Sequence, residues 1–144
     1  MKKRLFYSVL LLLIVIGVGS CKKSDTVMVN NKVTFTAALT GASETPANAS
    51  TATGTGTFSY DKTTYILTGT VTFTGISPTG AHIHKGALGV AGGVIFPLGT
   101  TSPISFTSPV LDATQQADLL ANLYYVNIHS TAFPAGEIRG QLIH

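Results

Sequence analysis

The sequence predicts an all-β domain, an antiparallel Greek-key β-sandwich carrying one short helix. Three observations lead there. Residues 32–40 alternate strictly, with Val33, Phe35, Ala37 and Leu39 on one face and mostly threonine on the other, the period of a half-buried strand. Short apolar segments then recur along the chain between turns rich in Gly, Pro, Asn and Asp. One helix start is visible, the capping box Asp112-Ala113-Thr114-Gln115. Composition agrees: charged residues make up only 10% of the 144 positions, and the remainder is rich in Thr, Gly, Ala, Val and Ile, which suit strands and turns.

The N-terminus stands apart. Lys2-Lys3-Arg4 is a positive opening, and residues 5–18 form an apolar run too short and too near the terminus for a good spanning helix. Val18-Gly19-Ser20-Cys21 resembles the lipobox of bacterial lipoproteins. That resemblance implies a signal peptide over residues 1–20, a lipid on Cys21 and a tether over 21–31, leaving one domain at 32–144. It also explains the lone cysteine, which has no disulfide partner in the chain. The expected location is the bacterial cell envelope, at the outer membrane or cell surface, held by the lipid. Three of the nine basic residues leave with the signal; the six that remain balance six acids, so no basic stripe is left for nucleic acid.

The elements follow in order. Residues 41–53 form a long polar connection containing Ser43-Glu44-Thr45-Pro46. A strand at 53–60 contains Gly54 and Gly56, which suggest a bulge or a close backbone approach. Asp61-Lys62-Thr63 reads as a hairpin turn, and 64–74 as a long strand with Tyr65, Leu67, Val71 and Phe73 on one face. After the Gly75–Gly80 loop comes a histidine strand, then a glycine-punctuated stretch at 86–93 and a strand at 94–98 ended by Pro97. Prolines bracket a short edge strand within 102–109. The helix runs from Asp112 to about Asn122 with Ala113, Ala117 and Leu120 inward. Residues 124–129 place Tyr124, Val126 and Ile128 on one face and Tyr125, Asn127 and His129 on the other. The last strand, 136–143, turns Ile138 and Leu142 inward and Glu137, Arg139 and Gln141 outward, and His144 frays.

The histidines carry the candidate chemistry. His82 and His84 flank Ile83 and share one face of their strand, so two imidazoles can converge on one ion. His129 offers a third. Three neutral imidazoles suit copper, zinc or nickel, with copper the tightest, and Glu44, Asn127 and Glu137 are the polar side chains that could orient the rings. The alternative is architectural: the histidines donate to loop carbonyls that close the end of the sandwich. Glu137 and Arg139 read either as ligand-orienting groups or as an ion pair tying the last strand to the Glu44 loop. A hydrolase finds no support, because no nucleophile sits with a base.

The stretch from Gly80-Ala81-His82-Ile83-His84-Lys85-Gly86 to Gly92-Gly93-Val94, and then Tyr125-Val126-Asn127-Ile128-His129 with Gly136-Glu137-Ile138-Arg139-Gly140-Gln141-Leu142, resembles the CHRD domain first named in chordin. Leu39-Thr40-Gly41 and Glu44-Thr45-Pro46 sit where that family has its Glu-Val-Pro-Pro motif, with one proline here. The resemblance spans about residues 33–142 and implies a secreted binding or structural module without a defined activity, its partner an envelope protein or a small ligand. A fainter similarity links Gly75 to His84, and Val126 to Gly140, to the copper-binding strands of Cu/Zn superoxide dismutases. That similarity implies an immunoglobulin- or dismutase-like sandwich, copper on His82, His84 and His129, and a small anion near Arg139. The chain has no counterpart of that family's bridging histidine, zinc loop or cysteine pair, so dismutase activity is not expected.

Overall fold

A computed structural model describes residues 30–144. The signal segment, Cys21 and most of the tether lie outside the described residues. Eight strands form the domain: β1 (Lys32–Thr40), β2 (Thr53–Asp61), β3 (Ile66–Thr74), β4 (Pro78–Lys85), β5 (Val94–Leu98), β6 (Ile104–Thr107), β7 (Tyr124–Ser130) and β8 (Ile138–Gln141), with one α-helix among the described residues, α1 (Ala113–Leu120), before β7 and a 3-10 turn at Gly41–Ser43 after β1. All pairings are antiparallel, in the order β5-β4-β7-β8-β1-β2-β3-β6. The all-β expectation therefore holds.

The two layers are halves of one sheet, joined through the Thr40–Arg139 pair and a bridge from Thr36 to Ile143. The two edge strands meet through side chains, Phe96 of β5 lying 5.6 Å from Phe106 of β6, so the sheet is almost closed. Between the halves lie Phe35, Leu39, Phe58, Leu67, Val71, Ile83, Val126, Ile128 and Ile138, all fully or almost fully buried. Each such side chain contributes about 1.5–3 kcal/mol by leaving water.

Several local expectations change. β2 pairs without a break along both neighbours, so its glycines make no bulge. They serve close approach instead: the Phe58 ring lies over Gly56 on its own strand and over Gly69 directly opposite on β3, where a Cβ would strike it. The register shifts fall on β4, between Ile83 and His84 against β5 and between Pro78 and Gly80 against β7. Pro97 lies within β5, which accommodates it as an edge strand. Tyr65 is not on a strand face. Asp61 Oδ1 accepts from the Thr63 and Thr64 amides, and the turn ends with Tyr65 in the left-handed region (φ 58°), exposed.

The capping box forms as read, Asp112 and Gln115 each bonding the other's backbone. The helix phase differs: Leu119 is buried, whereas Ala113, Ala117 and Leu120 face solvent. Asn122 closes the helix in the left-handed region, with the Asn122 and Leu123 amides donating to the Leu119 and Asp118 carbonyls. His144 does not fray. Its ring sits 5.0 Å from that of Phe35 and bonds to Asn122.

The halves differ on their outer faces. Over β1, β2 and β3 that face is a field of exposed threonines, among them Thr34, Thr57 and Thr70. Over β4, β7 and β8 it is buried under three connections, at 41–52, 86–93 and 131–136. Glu137, Arg139 and Gln141 do turn away from the core, but into this cover rather than into water.

Candidate metal centre

Strand register builds the site. Gly80 pairs with His129, His82 with Asn127 and His84 with Tyr125, while Asn127 pairs with Arg139 and Tyr125 with Gln141. The alternation that sends Ile83, Val126, Ile128 and Ile138 to the core sends these polar side chains to the covered face. His82 and His84 are adjacent on that face of β4, and His129 reaches them diagonally from β7.

The three histidines converge. One ring nitrogen from each lies within 4.8 Å of the others. His84 Nδ1 is 3.0 Å from the Gly92 carbonyl, and His129 Nδ1 is 3.0 Å from the Pro134 carbonyl. A carbonyl only accepts, so both Nδ1 atoms carry protons and both Nε2 atoms present bare lone pairs when the rings are neutral. His82 Nδ1 lies 3.2 Å from His129 Nε2 and donates to it. His84 Nε2 is buried and has no partner. Burial holds His82 below its usual pKa, with its two histidine neighbours acting the same way. Burial also lowers His84, opposed by the Gly92 bond and assisted by His129 and Arg139. Neutral rings at pH 7 are the form that binds metal. The loop-carbonyl bonds of the architectural reading and the convergent nitrogens of the metal reading are thus both present.

Tyr125 backs the cluster. Its ring stacks on His84 at 5.0 Å and lies 3.5 Å beneath the Arg139 guanidinium, while its hydroxyl accepts from the Gly92 amide. Sequence reasoning puts Tyr125 on the right face, as a rim residue or an aromatic platform for a sugar, and not as a support for the histidines. Its alternation with Asn127 and His129 was the available signal.

Arg139 is only 1% exposed. Its Nη2 donates to Ala87 O and Val90 O, both at 3.0 Å, and to Gln141 Oε1, while Nη1 donates to Thr45 Oγ1. Among the described residues no carboxylate lies within ion-pair distance of it, so the expected pair with Glu44 or Glu137 does not form. It clasps the 41–52 and 86–93 connections to β8 through neutral acceptors.

The two acids occupy separate positions. Glu137 accepts from Ser50 Oγ at 2.7 Å. Glu44 is 9% exposed and accepts from Asn127 Nδ2 at 2.6 Å. Burial pushes its carboxyl up to about 7, against the Thr45 amide bond and the positive charge of Arg139, which pull it down. Gly136 makes room for this pair: a Cβ there would lie 2.8 and 2.9 Å from the two Glu44 carboxyl oxygens.

Three neutral imidazoles, two with their far nitrogens fixed by backbone carbonyls, form a donor set for copper, zinc or nickel. No curated protein and no solved structure matches the chain. A model of the CHRD domain family does match, over residues 35–142. That match runs through all eight strands and every residue of the polar face, and the chain belongs to the CHRD domain family.

Proposed function

We propose that this CHRD domain is a binding module whose covered face holds one transition-metal ion, copper or zinc, on His82, His84 and His129. The observation that carries the reading is the buried His84 Nε2, a lone pair without a partner, on a ring that brings one nitrogen within 4.8 Å of a nitrogen from each of the other two. A purely architectural histidine would have no need of a buried acceptor left empty, because such an atom carries its full desolvation penalty. The lipobox-like Val18-Gly19-Ser20-Cys21 supports anchoring of the module to an envelope membrane through Cys21. Cys21→Ser tests the anchor: the variant should leave the membrane fraction, and its retention there would refute it.

The metal reading is tested by stripping the protein with chelator and titrating Cu(II) and Zn(II) by calorimetry. One ion per chain is expected. His82→Ala is the informative variant, since that ring bonds only to His129 and holds no loop. It should weaken binding at least tenfold while leaving the metal-free unfolding transition nearly in place. Unchanged binding in His82→Ala, or no binding by the parent protein, would overturn the reading.

A further inference from the structure

We propose that Asn127 holds a water molecule on the ion bound by the three histidines, so that the centre keeps one exchangeable position selective for ligands carrying a proton. The inference rests on the metal reading above and adds a residue and a ligand class to it.

Besides His84 Nε2, the covered face contains a second buried acceptor without a partner, Asn127 Oδ1. Asn127 is 4% exposed, stands directly opposite His82, and shares its strand face with His129 two residues on. Its Nδ2 donates to Glu44 Oε1 at 2.6 Å, which turns Oδ1 away from that carboxyl. Oδ1 must therefore find its donor on the other side of the amide.

The hydrogen bonds of the surrounding side chains run elsewhere. Arg139, its cross-strand neighbour on β8, directs Nη1 to Thr45 and Nη2 to Ala87, Val90 and Gln141. Gln141 Nε2 donates to the Gly86 and Asn122 carbonyls. The Nδ1 protons of His84 and His129 go to the Gly92 and Pro134 carbonyls. Two empty acceptors on one buried face call for a cation and a proton donor together. A hydrated metal ion supplies both: the ion to His84 Nε2, and an O–H of its bound water to Asn127 Oδ1. Three histidine ligands would leave a position open for that water.

Selectivity follows. Water, or another ligand with an O–H or N–H, satisfies Asn127. Azide and halides bring no proton and leave the oxygen unpaired, so they compete poorly.

The test uses the Cu(II)-loaded protein and Asn127→Leu, with Asn127→Ser as a second, shorter variant should the first fail to fold; metal-free thermal unfolding establishes which variants fold. Pulsed electron–nuclear double resonance in H2O and D2O should show a strongly bound exchangeable proton in the parent protein, altered in the variant. Azide titration should show the variant binding azide about fivefold tighter, one net hydrogen bond of about 1 kcal/mol at 1.4 kcal/mol per decade. Copper bound by three imidazoles with no exchangeable proton beyond those of the rings, or equal azide affinity in parent and variant, overturns the assignment to Asn127 and leaves the metal reading standing. Failure of the parent protein to bind copper or zinc overturns both.

Discussion

Replacing Glu44 by glutamine should stabilise the domain at alkaline pH and do little in acid. The Glu44 carboxyl is buried, and burial moves its pKa from an ordinary 4.5 to about 7. Between those values the folded state holds a proton that the unfolded chain has lost, so stability is complete below about pH 4.5 and falls as the pH rises through 7. At 1.36 kcal/mol per unit the shift removes about 3 kcal/mol by pH 8. Glutamine mimics the protonated acid, and its carbonyl can still accept from Asn127 Nδ2. Urea unfolding of both proteins in chelator, across about pH 4 to 8, measures the difference directly. The variant's advantage should grow by about 3 kcal/mol across that range. A difference that stays flat, or one that favours the parent protein as the pH rises, would refute the reasoning that Glu44 is a desolvated acid without a counter-ion.

Arg139→Lys should lower stability by roughly 3 kcal/mol, because a single ammonium cannot reach the acceptors on both covering connections, and amide exchange should quicken at 86–93 before the core strands respond. Gly136→Ala should cost more than about 1 kcal/mol by chemical denaturation, since φ is +140° and the new Cβ would press on the Glu44 carboxyl. Asp112→Ala removes the acceptor for the Gln115 amide and should cost about 1 kcal/mol without touching metal affinity.

The strands and the histidine face were legible because both rest on the period of two. That period fixes which side of the sheet a residue takes and says nothing about what lies beyond it. Glu137, Arg139 and Gln141 have the chemistry of solvated residues, and only partners far away in sequence bury them: Thr45, Ala87 and Val90 for Arg139, Ser50 for Glu137. The glycines at 86–93 marked a loop without showing that it folds back. Gly92 lies so close to the Lys85 carbonyl that a Cβ would overlap it. The helix was misphased because eight residues make barely two turns, and Leu119 and Leu120 compete for the inward position. Tyr65 fitted the alternation of its strand, but the Asp61 side chain holds the turn open through it.

The central claim is that His82, His84 and His129 act together on one ion. Electron spin-echo spectroscopy of the Cu(II)-loaded protein counts coordinated imidazoles directly. The account predicts three bound rings, two of them with remote nitrogens hydrogen-bonded to carbonyls, falling to two rings in His82→Ala. A signal from one ring, or a spectrum unchanged by His82→Ala, would contradict it.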